Sequence, residues 1–186
     1  YAFYGCKNLR HVEFAPDSKL KIIDKYAFSY TSIDNISIPA SVIKFGDDIF
    51  EYSELKKVIF PLNSQISTIG KNTFSHTLIE DIVIPENVVD LEEGWCSNVP
   101  HLVNINVMEN NPFFKLYDDK FIIKKSSIDK ENYDILVFSK RDIEKAIIPR
   151  FIEIIESYSF IDCIHLHQLE IPSNSKLQII KKFSFY

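Results

Sequence analysis

The stretch SIDNISIPASVIKFGDDIF, residues 32–50, contains the pattern from which the rest of the chain is built. Apolar residues fall at Ile33, Ile36 and Ile38, and Pro39 follows directly. The alternation of Ile36 and Ile38 with polar neighbours favours a strand that buries one face. The same pattern returns along almost the whole chain, so the fold should be a stack of similar units.

The strand segments of the first five units start 22 to 24 residues apart. A period of about 20 to 29 residues with apolar residues at these offsets is typical of a leucine-rich repeat. Proline closes most segments, and it suits the end of a strand because it cannot donate a hydrogen bond within a sheet. The segments start at Leu9, Ile33, Leu55, Ile79, Leu102 and, after an interruption, Leu166.

A second apolar pair follows each proline, and an aromatic position comes five residues after that pair. Coils stacked on one another would bring these rings together as a spine through the interior. In the fourth unit the position falls on Cys96, and we expect the neighbouring Trp95 to fill the space. The other members of the spine are Phe3, Phe28, Phe50, Phe74, Phe160 and Phe185.

A small residue lies three positions after each member of the spine. A tight turn packed under the next coil would select residues of this size. We therefore predict that Cys6 and Cys163, which share this position, are reduced, buried and unreactive. The column contains Cys6, Thr31, Ser53, Thr77, Val99 and Cys163.

Composition supports strands and excludes several functions. The chain has 186 residues, of which 46% are hydrophobic, and 29 isoleucines outnumber 12 leucines, which favours strands over helices. The net charge of −5 is spread without the basic stripe that a nucleic-acid surface needs. No stretch approaches about 18 uninterrupted apolar residues, so we predict no membrane span. Because the sequence starts and stops inside a unit, we expect a fragment of a longer protein.

The repeat pattern is interrupted over residues 108–145. Two short apolar runs, Phe121–Ile123 and Ile135–Val137, are separated by the polar segment Lys124–Asp134. This arrangement indicates a hairpin with a long loop. We predict a single solenoid over residues 1–186 with this hairpin-like island inserted in the array.

Three stretches resemble the BspA-type leucine-rich repeat family: AFYGCKNL at 2–9, ISIPASV at 36–42, and NNPFF…DDKFII at 110–123. The resemblance covers essentially the whole chain. It implies a β-rich leucine-rich-repeat solenoid, an α/β-type superhelix with a parallel concave sheet and short turns or 3-10 pieces on the convex side. The sequence departs from the family at Asp118-Asp119-Lys120, where a glycine turn is usual, and at Cys96.

The resemblance also implies a function, because the family occurs in surface proteins of mucosal bacteria and parasitic protists, with some intracellular members. It implies a non-catalytic role in protein interaction or adhesion at the cell surface or outside the cell. The partner would be another protein, such as a host extracellular-matrix or cell-surface protein. Two alternatives remain: a structural spacer in a larger surface protein, or a regulatory segment of a multidomain protein.

The residues on either side of each strand's central apolar residue should point outward onto the concave side. Solenoids commonly bind partners on this surface. Ile59, Val83 and Ile147 are apolar where solvent is expected, although β-branched residues also suit an exposed sheet. The candidate binding residues are His11, Asn35, Lys57, Asp81, Asn104, Lys145 and Gln168 in one column and Glu13, Ser37, Ile59, Val83, Asn106, Ile147 and Glu170 in the other.

No motif indicates catalysis, a metal or a cofactor. Cys163, His165 and His167 alternate, but a metal needs three or four converging ligands and Cys163 already belongs to the small-residue column. Asn35-Ile36-Ser37 matches the N-glycosylation sequon, yet its asparagine lies on the expected sheet, a poor place for a glycan. A glycine-rich phosphate loop, a Ser-His-Asp order and an HExxH motif are all missing, so the sequence does not support an enzyme.

Overall fold

Most repeat units form two short strands in the computed structural model, which describes residues 1–186. Strands of the same kind stack in parallel from unit to unit, and no residue is helical. The chain is therefore a β-solenoid of about seven coils, as the repeat pattern predicted. The strands are β1 (Ile22–Ile23), β2 (Asn35–Ser37), β3 (Lys44–Phe45), β4 (Lys57–Ile59), β5 (Thr68–Ile69), β6 (Asp81–Ile84), β7 (Asp90–Leu91), β8 (Asn104–Val107), β9 (Phe114–Tyr117), β10 (Phe121–Lys124), β11 (Ile135–Ser139), β12 (Lys145–Ile147), β13 (Ile154–Ile155), β14 (Gln168–Glu170) and β15 (Ile179–Ile180).

The segments that begin each unit form what we call the first sheet, in the order β2-β4-β6-β8. The middle residue of each strand is buried, and the residues beside it face out. A separate parallel pair, β12-β14, follows. Ala146 in the middle of β12 is buried, whereas Leu169 in the middle of β14 is 39% exposed. The first coil contributes no strand to this sheet.

The other side of the solenoid carries a second parallel sheet, in the order β1-β3-β5-β7. The sequence led us to expect only turns or 3-10 pieces there. Instead the second residue of each apolar pair and the residue before it form a two-residue strand, in which Ile23, Phe45 and Ile69 are buried in the core. Apolar β-branched and aromatic residues suit such strands, and the adjacent coil supplies the backbone partner.

The aromatic spine forms as predicted. Phe28 stacks on Phe3 with ring centroids 5.3 Å apart, and Phe50 stacks on Phe28 at 5.6 Å and on Phe74 at 5.9 Å. In the last coils Phe160 stacks on Phe185 at 4.7 Å. Phe28, Phe50 and Phe74 belong to one apolar core and Phe160 to a second.

Trp95 continues the spine where Cys96 interrupts it. The N–H of Phe74 donates to the carbonyl of Trp95, as the N–H of Phe50 donates to that of Thr73. This pattern gives Cys96 the backbone position of a spine phenylalanine. The Trp95 ring packs edge-on against Phe74 at 6.4 Å and is 4% exposed, so the prediction that it fills the gap is confirmed.

The small-residue column is selected by a hydrogen bond as well as by size. The hydroxyl of Thr31 donates to the carbonyl of Phe28 at 2.8 Å, and Ser53 bonds Phe50 in the same way at 2.7 Å. A third copy joins Thr77 and Phe74 at 2.7 Å. Each side chain thus satisfies a buried carbonyl of the turn, which a buried peptide group requires.

All three cysteines are free, but their burial differs. The prediction that Cys6 is buried is wrong: Cys6 is exposed, because no coil packs over the outer side of the first coil in this structure. Cys163 is half-buried, with its sulfur 3.5 Å from the carbonyl oxygen of Lys140. Cys96 is fully enclosed, and burial raises the pKa of its thiol to about 12 although Arg141 acts in the opposite direction.

Near the start of the interruption, Asn111 is buried. Its amide donates to the carbonyls of Pro85 and Val88 at 2.8 and 2.9 Å. Its side-chain oxygen accepts the N–H groups of Phe113 and Phe114 at 2.9 and 2.8 Å. The NNPFF stretch therefore anchors the end of the regular coils to the start of a different structure.

That different structure is an antiparallel meander of β9, β10 and β11, and β11 also pairs in parallel with β13. The two apolar runs in the sequence correspond to β10 and β11, whereas β9 was not anticipated. Ile122 belongs to a core of 29 residues, and its neighbours Phe121 and Ile123 belong to a second core of nine. The meander thus lies between two cores. The assignment of 1–186 to one solenoid with an island at 108–145 stays a prediction.

Candidate binding surface on the first sheet

The pairing of the first sheet brings eight of the fourteen predicted site residues into two adjacent rows. One row runs along the first residues of the strands, and the other along residues two positions later. Neighbouring strands lie about 4.8 Å apart, so the rows form one continuous patch. The rows are Asn35, Lys57, Asp81 and Asn104, and Ser37, Ile59, Val83 and Asn106.

The other six predicted residues lie apart from this patch. Lys145, Ile147, Gln168 and Glu170 face each other on the separate pair β12-β14. His11 and Glu13 are in the first coil, which has no strand at this place. All fourteen residues are exposed except Asp81, which is half-buried.

Two apolar side chains lie side by side within the patch. Ile59 is 44% exposed and Val83 is 43% exposed, on adjacent strands. Lys57 and Asp81 are direct partners in the pairing of β4 with β6. An apolar centre flanked by one charge of each sign is the arrangement that protein interfaces favour.

The meander adds a wall to this patch that could not be found from the repeat pattern. Leu116 of β9, together with Asp119 and Lys140, borders a shallow cavity of about 270 Å³ beside Asn104 and Asn106. The ammonium of Lys140 lies 2.9 Å from the carboxylate of Asp119. The repeat pattern predicts the residues of the patch. It cannot predict the bordering residues of the meander, because that segment does not repeat.

A second cavity, of about 300 Å³, lies further along the gap between β8 and β12. Its lining includes His101, His165 and the buried Arg141. The guanidinium of Arg141 donates to the carbonyls of Ser139 and Ser159 at 3.3 and 3.0 Å and to that of Cys96 at 3.4 Å, and it lies 4.1 Å from the ring of Phe138. Its hydrogen bonds join the meander to the coils on both sides.

The largest cavity, about 610 Å³, lies at the end of the second sheet. Its charged side chains are mostly paired with one another. Lys124 meets Asp90 at 3.3 Å, Lys182 meets Glu93 at 2.9 Å, and Lys181 meets Glu156 at 2.8 Å. Because both signs of charge are already matched there, the first sheet is the stronger candidate for binding.

The structure shows no metal site at the histidines near Cys163. His165 and His167 are exposed, and no group of three or more His, Cys, Asp or Glu side chains is arranged to hold a metal. Asn35 of the sequon lies exposed on β2, within the first sheet. The structure contains no helix that is long and apolar enough to cross a membrane.

Comparison with protein families gives one clear match. A model of the BspA type leucine rich repeat region matches six copies over residues 1–121 and 132–186. The unmatched residues, 122–131, lie within the meander. No curated protein matches the chain.

Several solved structures share the fold. The pneumococcal vaccine antigen PcpA is similar with a TM-score of 0.75 and 22% identity, over 87% of this chain and 45% of that protein. A leucine-rich repeat protein from Eubacterium ventriosum has a TM-score of 0.70 and 17% identity, over 89% and 48%. A leucine rich cell surface protein from Faecalibacterium prausnitzii has a TM-score of 0.69 and 20% identity, over 97% and 56%. The chain therefore spans about half the length of these proteins.

Proposed function

The chain belongs to the family of BspA-type leucine-rich repeat regions, and on that premise we propose that it binds another protein through the outward face of the first sheet. The module binds without catalysis. Its partner is a protein outside the cell, such as an extracellular-matrix or cell-surface protein. The contact is centred on Ile59 and Val83 and extends to Lys57 and Asp81.

The observation that carries this proposal is the exposed pair Ile59 and Val83 on adjacent strands. Ile59 and Val83 still expose 44% and 43% of their surface, which a partner could cover, and apolar burial is the main favourable term in association. The backbone beneath them is already fixed by strand pairing, so binding costs little ordering. The cavity beside Leu116 gives a partner side chain a place to insert.

The proposed location at the cell surface rests on a comparison with solved structures and not on the residues of the first sheet. One solved structure with the same fold is described as a cell surface protein.

The test is the double change Ile59→Asp with Val83→Asp. Both side chains point outward, so the fold should persist, while binding to immobilised laminin, collagen or fibronectin should weaken more than tenfold. The matched control is Ile43→Asp with Val89→Asp, which adds the same charge at side chains 40% and 39% exposed outside the first sheet. Surface plasmon resonance gives the affinities, and circular dichroism checks the fold.

The outcomes separate the alternatives. A loss of binding in the first-sheet variant alone supports the proposal. Normal binding by this variant together with loss on changing the 124–134 loop would make the island the site. Failure of the unchanged protein to bind any member of the panel would favour the structural spacer.

A further inference from the structure

A row of stacked rings lies on the turn that joins the second sheet back to the first. Tyr30 stacks on Tyr52 with ring centroids 5.0 Å apart, and Tyr52 stacks on His76 at 4.2 Å. Tyr4 meets Tyr30 edge-on at 5.5 Å. Tyr30 and Tyr52 are 39% and 45% exposed. We call Tyr30, Tyr52 and His76 the ring row; it lies outside the spine and outside the first sheet.

The backbone at the ring row is unsuited to large side chains. Tyr30, Tyr52 and His76 have φ of 57°, 57° and 54°, in the left-handed region. Tyrosine is an outlier there, whereas glycine and asparagine are accommodated and histidine is also enriched. The chain itself uses Gly5 and Asn98 at the equivalent position of other coils. The rings are therefore not demanded by the turn, and stacking alone offsets a cost that glycine or asparagine would avoid.

Three carboxylates lie on the turn that leads to Tyr52. Asp47, Asp48 and Glu51 belong to the turn that carries Tyr52, and Lys25 is the cation that pairs there, 3.7 and 3.8 Å from the two aspartates. Glu51 makes no ion pair. Partial burial, and then the neighbouring Asp48, raise the pKa of Glu51, as expected for a carboxylate without a cation.

The chain's own lysine shows how a cation fits this surface. The ammonium of Lys25 lies 5.2 Å from the centroid of the Tyr26 ring while it pairs with Asp47 and Asp48. A ring and a carboxylate together hold a cation through the charge distribution of the ring and through direct attraction. Beside Tyr30 the same combination is present without an ion pair: burial, then Tyr4, Tyr52 and the Glu51 carboxylate raise the pKa of the Tyr30 hydroxyl.

We propose that the ring row binds a basic segment of a partner protein, with an arginine or lysine side chain lying against Tyr30 and Tyr52 and its charge near Glu51. Arginine suits the place better than lysine, because its planar guanidinium stacks on aromatic rings and is more weakly hydrated. The rings are held by stacking before the partner arrives, so little side-chain freedom is lost on binding. This surface is distinct from the first sheet and goes beyond the function proposed above.

The test uses a peptide of four Gly-Arg repeats as the probe, with its arginines replaced by uncharged citrulline as the comparison. Tyr30→Asn with Tyr52→Asn removes two rings without changing the net charge, and asparagine accepts the left-handed backbone. We expect the Arg peptide to bind this variant at least about fivefold more weakly. Glu51→Gln should weaken binding as well, and the citrulline peptide should not bind.

Two control variants show whether the loss of affinity is specific to the ring row. Tyr158→Asn removes a stacked tyrosine with φ of 64° elsewhere in the chain and should leave peptide affinity unchanged. The first-sheet variant Ile59→Asp with Val83→Asp should bind the peptide at least as well as the parent chain, so the two proposals fail independently. Affinities come from isothermal titration calorimetry, with melting temperatures to confirm folding.

Three results would overturn the proposal. One is equal affinity of the Arg peptide for the Tyr30 and Tyr52 double variant and the parent chain, which would reduce the effect to net charge. Another is equal binding of the citrulline peptide. The third is binding of chitotetraose, a soluble oligosaccharide, at the ring row in place of the Arg peptide, with amide shifts of Tyr30 and Tyr52 as the readout.

Discussion

The regular coils of residues 1–107 and the meander of β9 to β11 stabilise the chain in different ways. In the regular coils each side chain packs on its counterpart one coil away, as Phe50 does between Phe28 and Phe74. In the meander the contacts are single and often polar. Asn111 and Arg141 each bind backbone groups from several segments. Repeated apolar packing and non-repeated hydrogen bonds are thus two separate sources of stability in one chain.

The difference shows where stability and specificity come from in this fold. The apolar contacts of the coils are equivalent to one another, because each coil offers its neighbour the same kind of side chain at the same position. The buried guanidinium of Arg141 has no such counterpart, and losing it removes its hydrogen bonds to buried carbonyls of three segments, which is costly. The coils should therefore respond to loss of volume, and the meander should respond to loss of hydrogen bonds.

The largest effect should come from the spine of the regular coils. Phe50 is fully buried and stacked on both sides. Phe50→Ala should lower the free energy of unfolding by about 3–5 kcal/mol, since it removes a large apolar group and leaves a cavity. Urea denaturation followed by circular dichroism measures the loss.

Phe3→Ala is the matched control for this prediction. Phe3 occupies the same column but is 44% exposed and stacks on one ring only. Its removal should cost clearly less than that of Phe50. Equal losses would mean that burial between two coils is not what makes the spine stable.

A smaller effect is expected at the junction between the meander and the coils. Arg141→Met keeps an apolar side chain of similar length but removes the guanidinium hydrogen bonds to the carbonyls of Ser139, Ser159 and Cys96. The Ser159 carbonyl keeps the N–H of Ser139 at 2.9 Å, so the loss should be about 2–3 kcal/mol, the range for hydrogen bonds made by a charged group. Arg150→Met, at an exposed arginine of the next turn, should change stability little in the same urea titration.

Arg141→Met also decides between two physical accounts. A buried charge costs desolvation, and replacing it with an apolar group is stabilising in some proteins. The Nε of Arg141 has no hydrogen-bond partner, which adds to that cost. An unchanged or higher stability would show that the guanidinium is tolerated at the junction and does not hold it together.

The sequence predicted the parts of the fold that repeat. The offsets of Ile33, Ile36 and Ile38 indicated the first sheet, and the count to Cys96 indicated the role of Trp95. The second sheet was missed because a two-residue strand has no periodicity of its own and depends on the adjacent coil for its pairing.

The meander and its contacts were out of reach for a different reason. The partners of Arg141 and the place of Leu116 beside the first sheet follow from one particular three-dimensional path, and no second copy in the chain reveals them. The two rows of candidate residues could be identified from the strand pattern. The separation of Lys145 and Ile147 from the others could not, because it results from the meander.

The smallest effect concerns pH, and Asp134 carries it within the meander. The Asp134 carboxylate accepts the N–H of Ser126 at 2.8 Å and the ammonium of Lys130, which closes the 124–134 loop. Burial acts to raise the pKa of Asp134, but the hydrogen bonds from Lys130 and Ser126 outweigh it and lower the pKa below the ordinary 3.8. A carboxyl group with a lowered pKa in the folded state stabilises that state above its ordinary pKa. This contribution is lost as the pH falls through the lower, folded pKa.

Acid should therefore loosen the loop of the meander before it affects the spine, because the spine has no carboxylate at its contacts. On lowering the pH from 5 to below 3.8, we expect amide hydrogen exchange, corrected for its intrinsic pH dependence, to accelerate around Ser126. Asp134→Asn should abolish this dependence and give fast exchange at Ser126 at both pH values, since the amide group cannot pair with Lys130 as an ion. Asp129→Asn, at an exposed carboxylate of the same loop, should leave the dependence intact. If Phe50 and Ser126 lost protection together as the pH fell, the two regions would not be separate sources of stability.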